Sequence, residues 1–112
     1  MENRLENAIA AVVAKLTELE IARFVREDCT HSTINDGKLT PPYAVVAKER
    51  TKFVAIDFGS SGAFLVEKET GELFNIKAYG VPNRSKKVKA NLGNIFSVDP
   101  AFLHARRWNY LR

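Results

Sequence analysis

Apolar residues at the start of the chain keep a helical beat. Leu5, Ile9, Val12, Leu16 and Leu19 recur at alternating spacings of four and three, with Ala8, Ala10, Ala11 and Ala14 beside them. That stripe predicts an amphipathic helix over 2–19, since residues three and four apart share one helix face. Its polar face mixes both signs of charge, as on a core-packing helix and unlike a basic membrane-surface helix. Ile21 to Val25 either extends the helix or begins a strand. "THSTINDGKLTPP" (30–42) then ends regular structure, because Asn-Asp-Gly and Pro-Pro are strong chain punctuation.

From Tyr43 the period changes from helical to alternating. "YAVVAK" and "KFVAIDF" are rich in β-branched and aromatic residues, and Val54, Ile56 and Phe58 alternate with Phe53, Ala55 and Asp57. "GSSG" (59–62) reads as a turn, and "AFLVE" and "ELFNIKAY" as the next two strands. Glu69-Thr70-Gly71 between them suits a type I turn with glycine in the left-handed position, closing a bulged hairpin. In the second of these strands Phe74, Ile76 and Ala78 face one way, and Asn75 and Lys77 the other. "VPNRSKK" reads as a loop, and "VKANL" and "NIFSV" as short strands around Gly93. Asp99 and Pro100 then form the N-cap and first position of a terminal helix, with Phe102 and Trp108 as packing residues. The predicted fold is mainly β with α. The N-terminal helix (2–19) precedes a strongly bent five-stranded β-barrel (43–98) and a short helical tail (99–112), all in one domain, 1–112.

Composition adds a class and a direction. The chain has 112 residues, 46% apolar and 27% charged, as expected for a soluble globular protein. No apolar run is long enough to span a membrane, and the acidic, amphipathic start resembles neither a secretory signal nor a transit peptide. A single cysteine, Cys29, forms no intrachain disulfide, which points to a reducing cytoplasm. Charge is unevenly placed. Residues 1–76 carry 9 Lys/Arg and 12 Asp/Glu, a net −3, whereas residues 77–112 carry 8 Lys/Arg and 1 Asp, a net +7. Such asymmetry points to an anionic partner or a charge-complementary subunit contact.

Catalytic signals are weak, and the sequence reads as non-enzymatic with no cofactor. His31 and His104 lack metal-ligand spacing with Cys29 and read as surface or partly buried residues. No glycine-rich phosphate loop precedes a helix. Asp57, Glu67 and Glu69 on adjacent strands raise a metal-dependent nuclease as a third alternative. Against it, Lys68 sits in the wrong register and on the opposite strand face from Glu67.

Binding chemistry is better represented. Lys77, Arg84, Lys86, Lys87 and Lys89 follow one another without an intervening acid, and Arg106, Arg107 and Arg112 lie in the tail. Cations presented this way bind phosphates through counterion release, without reading sequence. Tyr79, Asn75, Asn83, Asn91 and Asn94 are the nearby groups suited to stacking or base edges. Gly80 and Gly93 either allow close backbone approach or serve turn geometry.

Two resemblances follow from particular residues. Phe64, Val66, Glu67, Lys68, Thr70, Gly71 and Glu72, then Pro82, then Gly93, Asn94 and Ile95 resemble a box in small uncharacterised proteins of tailed phages. That resemblance implies a viral origin, with a cyanophage as one source, and no known activity. The layout of a helix and five bent strands is similar to the Sm-like family. "GAFLVEKETGELFN" resembles that family's first motif through Gly62, Phe64, Val66 and Glu67. "LGNIFSV" resembles its second, with Gly-Asn in the turn between the last two strands. The resemblance implies a homo-oligomeric ring, closed by edge-strand pairing, that binds single-stranded RNA at its pore. Its ligand loops fall on Lys68, Glu69, Thr70 and Gly71, and on Leu92, Gly93 and Asn94. Glu69-Thr70-Gly71 replaces the family's Asp-x-x-Met-Asn, and Leu92 replaces a cation, so two base-recognition elements are missing. The expected nucleic-acid contacts are Lys68, Thr70, Lys77, Arg84, Lys86, Lys87, Lys89, Gly93 and Asn94. The expected partners are RNA or another polyanion and further copies of the chain. The alternative is a phage interaction or inhibitor protein whose basic surface docks an acidic host or virion protein.

Overall fold

A computed structural model of the chain describes residues 3–78, 81–82 and 91–108. Helix α1 runs over Asn3–Arg26, longer than the predicted 2–19. The extension follows from the same stripe, because Glu20 and Phe24 continue it and both are buried. A glutamate in an apolar register is what obscured the continuation. Asp28 ends the helix in the left-handed region at φ 54°, and the Cys29 N–H returns to the Phe24 carbonyl at 2.8 Å.

The punctuated stretch is not wholly irregular. It holds a small hairpin, β1 (Ile34–Asn35) and β2 (Lys38–Leu39), closed by Asp36 and Gly37 at φ 55° and 76°. Two positive-φ residues between paired positions are the geometry of a type I′ turn, which Asp-Gly favours. A single 3₁₀ turn over Pro41–Tyr43 leads into the main sheet.

That sheet is antiparallel. It comprises β3 (Val45–Glu49), β4 (Phe53–Phe58), β5 (Ser61–Glu67) and β6 (Glu72–Ala78), and β6 then pairs with both β7 (Val81–Pro82) and β8 (Asn91–Asn94). β7 and β8 thus share one flank of β6 as an interrupted fifth strand. The order is open. Among the described residues no pairing joins β3 to β7 or β8, so the five-stranded sheet expected from the pattern is present without barrel closure.

"VKANL" and "NIFSV" do not form two strands. Among the described residues of this stretch only β8 pairs, and Ile95–Ser97 is a turn. Asn94 dictates this: its Oδ1 accepts the Phe96 N–H at 3.0 Å and its carbonyl accepts from Val98 at 2.8 Å. Gly93-Asn94 therefore ends a strand instead of linking the last two. Between Glu72↔Asn94 and Phe74↔Asn91, one residue of β6 faces two of β8, and Gly93 at φ 90° takes the bulge.

The helices cover one sheet face. Val54, Ile56 and Phe58 of β4, Phe64 and Val66 of β5 and Leu73 of β6 pack with Leu5, Ile9, Val12 and Leu16 of α1 and Leu103 of α2 (Pro100–Arg107). A shift in pairing after Ile56 leaves Ala63 as an extra residue, so Ala63 and Phe64 both reach this core. The other face is apolar as well: Ala55, Leu65 and Phe74 are buried there beside Phe53 and Ile76. This matches the predicted split of Phe74 and Ile76 from Asn75.

α2 begins as expected. The Asp99 side chain accepts from the Ala101 N–H at 2.9 Å and Pro100 opens the helix. Of its two expected packing residues, Trp108 packs against the core and Phe102 does not. Phe102 is 37% exposed, and Leu103 and His104 face inward instead. Leu103 meets the α1 core and His104 finds an acid there, which sets the rotation of this short helix. No helix among the described residues is long and apolar enough to cross a membrane.

Candidate functional site

The predicted contact residues divide into three groups. Arg84, Lys86, Lys87 and Lys89 lie outside the described residues, as do Tyr79, Gly80, Asn83 and Arg112. Lys77 is placed by its backbone in β6. Lys68, Thr70, Gly93 and Asn94 are brought together, because the β5–β6 turn abuts the end of β8. Asn94 Nδ2 donates to the Thr70 carbonyl at 2.9 Å, and the Ile95 N–H donates to the Gly71 carbonyl at 2.8 Å. Thr70 Oγ1 donates to Glu67 Oε1 at 2.8 Å and accepts the Glu72 N–H at 3.2 Å. Gly71, at φ 77°, has no room for a side chain: a Cβ would lie 2.7 Å from the Phe96 ring. Phe96 in turn carries the Arg4 guanidinium 4.1 Å from its centroid, tying this corner to the start of α1. The two predicted ligand loops therefore form one clamped corner whose side chains already have internal partners.

Lys68 illustrates this. Its Nζ lies 2.7 Å from Glu49 Oε2, across from the end of β3. The hydrogen bond and charge of Lys68 hold the Glu49 carboxyl below its ordinary 4.5. Lys68→Ala is expected to return the Glu49 titration to the ordinary carboxylate range, as followed by NMR, with a change in stability near zero for so exposed a pair. An unmoved Glu49 titration would show that the pair does not form in solution.

The carboxylates of the nuclease alternative do not converge. Asp57 pairs opposite Gly62 and Glu67 opposite Phe53, so they sit at opposite ends of β4, roughly 13 Å apart at strand rise. Among the described residues no group of three or more His, Cys, Asp or Glu is placed to hold a metal.

A denser polar cluster lies where α1 meets α2. Glu20 is buried, and its Oε1 accepts from His104 Nε2 at 2.9 Å, Trp108 Nε1 at 2.8 Å and Arg23 Nε at 2.9 Å. An ionised carboxylate only accepts, so His104 carries its proton on Nε2 here. Burial raises the Glu20 pKa. The hydrogen bonds from His104 and Arg23, and their charge, outweigh it and bring the carboxyl below its ordinary 4.5. His104 is thus a buried latch between helices, not the surface or partly buried residue expected.

Beside this latch opens a cleft of about 230 Å³, lined by Glu20, Arg23, Phe24, Pro42, Tyr43, Phe58, Ser60, Ser61, Arg107 and Trp108. Its wall alternates guanidinium and ring. Arg23 lies 4.6 Å from the Phe24 centroid and 3.8 Å from that of Trp108, and Arg107 lies 4.8 Å from Trp108 and 5.5 Å from Phe58. Gly59 makes the far wall possible. At φ 65° it lets the Pro42 carbonyl approach so closely that a Cβ would lie 2.0 Å from it, and its N–H donates to the Ala44 carbonyl. The sequence marked Arg107 and Trp108 separately, as a tail cation and a packing residue. It missed the cleft, because Phe24, Tyr43, Ser60 and Trp108 are distant in sequence and share no local pattern. The available signal was Glu20, an acid in the apolar stripe.

No protein-family model, curated protein or solved structure matches this chain. Its chemistry therefore rests on its own residues. A second cavity, about 390 Å³ between α1 and β3–β4, has an apolar floor of Ile9, Val13, Ala47 and Val54 with Glu6 and Glu49 at its edge. It offers no converging set of donors. The Arg107 cleft does, and pairing places it at the same end of the sheet as the β6–β7 connection, towards Lys77: Phe58 pairs with Ser61 and Ala78 with Val81.

Proposed function

We propose that this chain is a non-catalytic nucleic-acid-binding protein that takes single-stranded RNA as a homo-oligomeric, Sm-like ring. In this reading the bent sheet is a barrel-like unit. Its open borders, β3 on one side and β8 on the other, pair between roughly five to seven copies, since closed cyclic symmetry removes free strand edges. Lys77, Arg84, Lys86, Lys87 and Lys89 supply phosphate contacts. Thr70, Gly93 and Asn94 shape a corner at the other end of β6 from Lys77, and Lys68 joins them by exchanging Glu49 for phosphate. A tailed-phage origin and action in the host cytoplasm belong to the same proposal.

The segregation of charge carries it. Lys15–Glu18, Arg23–Glu20, Arg23–Glu27, Lys48–Asp57 and Lys68–Glu49 are ion pairs formed entirely within residues 15–68. Residues 77–112 hold 8 Lys/Arg against the single acid Asp99, and Asp99 serves as a helix cap. The net +7 gathered in residues 77–112 is the electrostatic footprint a polyanion would meet.

Affinity for a fluorescent single-stranded RNA, followed across a salt series, tests the proposal. Five phosphate contacts give a log–log slope of about −3.5, or about a hundredfold loss between 50 and 200 mM salt. Negligible retention of both RNA and DNA at low salt would remove the proposal. Loss of an acidic protein partner on charge reversal of Lys86 and Lys87, with RNA affinity untouched, would replace it with the docking alternative.

A further inference from the structure

The cleft beside Trp108 has chemistry that phosphate contacts on a basic loop leave unused. Its one acid, Glu20, already accepts from Arg23, His104 and Trp108, so the cleft has little to offer a cation. Arg107 stands differently. It packs against rings, no carboxylate among the described residues pairs with it, and its buried Nε has no hydrogen-bond partner. A guanidinium at a cleft with no acid beside it favours an anionic ligand. Ser60 and Ser61, both exposed, bring two hydroxyls to the same cleft, and Tyr43 is 40% exposed at its rim.

Neither a bare anion nor an apolar group satisfies this set. An anion would leave the exposed Tyr43 ring facing water, and an apolar ligand would leave the Arg107 guanidinium and the serine hydroxyls without a partner. A phosphate carried on a planar heterocycle answers both. A guanidinium with two hydroxyls suits the oxygens of a phosphomonoester, and a ring presents a face to Tyr43. The volume, about 230 Å³, equals roughly eight waters. That is room for a phosphate and one ring, with the remainder projecting from the open mouth. We propose that the cleft between α1, α2 and the β4–β5 turn binds a nucleoside monophosphate, free or as the phosphorylated end of a strand. Its phosphate would lie on Arg107, Ser60 and Ser61, and its base against Tyr43. This site uses none of Lys77, Arg84, Lys86, Lys87 or Lys89 and does not require ring assembly.

The protein carries its own probe, since Trp108 is the single tryptophan and lines the cleft. The full chain is titrated with uridine monophosphate, adenosine monophosphate, uridine and inorganic phosphate while Trp108 fluorescence is recorded. A saturable change with the monophosphates is expected, at least about tenfold tighter than with uridine or phosphate alone. Arg107→Gln should weaken it about tenfold. The exposed pair Ser60→Ala with Ser61→Ala should weaken it several-fold while circular dichroism stays unchanged, so a folding defect in the arginine variant does not leave the question open. Short RNAs with and without a 5′ phosphate separate the two sources. Preference for the phosphorylated strand over the free monophosphate assigns the site to strand ends, and the reverse to free nucleotide. No saturable change at millimolar monophosphate, or a serine pair that titrates like the natural chain, overturns the proposal. Binding of the monophosphate without any binding of unphosphorylated RNA would instead remove the RNA-ring reading and keep this one.

Discussion

Glu20→Ala is expected to cost about 3–5 kcal/mol of unfolding free energy, the usual penalty for breaking a buried charged network by removing one member. The alanine would leave His104, the Trp108 indole and part of Arg23 without their acceptor in a site where Glu20 is only 2% exposed. In a domain of this size the melting temperature should fall by well over 10 °C. Glu20→Gln should cost less, because the amide oxygen still accepts while the charge is lost. The two variants also predict a pH signature. The folded-state pKa of Glu20 lies below its ordinary 4.5, so its stabilisation is fully present above that value and is lost as pH falls through the lower, folded-state value. Acid titrations of stability should therefore draw the natural chain and Glu20→Gln together below pH 4.5. Denaturant melts of the three proteins decide the matter. A Glu20→Ala chain within about 0.5 kcal/mol of the natural one would mean that α2 is not latched to α1 through this carboxylate.

Phe64→Ala is expected to be as damaging, at about 3–5 kcal/mol, for a different reason. Phe64 is 1% exposed and meets Phe58 edge to face at a centroid distance of 6.5 Å, under α1. Truncation removes the transfer free energy of the ring and leaves a cavity in a sheet held on both sides by packing. The loss should appear in denaturant melts with an unchanged slope, since the surface exposed on unfolding is nearly the same. Phe102, which the sequence also marks as a packing residue, provides the contrast. It is 37% exposed, and Phe102→Ala should stay within about 0.5 kcal/mol of the natural chain.

Local patterns made the elements legible. Alternation in "KFVAIDF" split Val54, Ile56 and Phe58 from Phe53 and Ala55, and the structure divides them the same way, the first set facing the helices. Asp99-Pro100 marked the start of α2, and Gly71 marked a left-handed turn. Legibility failed where a residue's reason lies far away in the chain. Glu20 reads as a polar interruption until His104 and Trp108 are seen to meet it. "NIFSV" has the composition of a strand, but the Asn94 side chain folds it into a turn. Gly93 reads as either a point of ligand approach or turn geometry, and its place in a bulge opposite Leu73 depends on pairing with β6 that no local window shows. Strand lengths and tight turns gave the expectation of barrel closure, but closure depends on how strands at the two borders meet, which no local window encodes. For the site, the basic run is plain in the sequence, whereas the Arg107 cleft is assembled from α1, the Pro-Pro turn, the β4–β5 turn and α2.

Native mass spectrometry of the full chain, alone and mixed with a short single-stranded RNA, bears most directly on the proposed ring. The expected spectrum shows one closed assembly of roughly five to seven subunits that gains the mass of a single RNA strand at low salt and loses it as salt rises. A chain that stays monomeric at micromolar concentration with and without RNA would contradict it, because the open β3 and β8 borders would then have no sister strand to pair with.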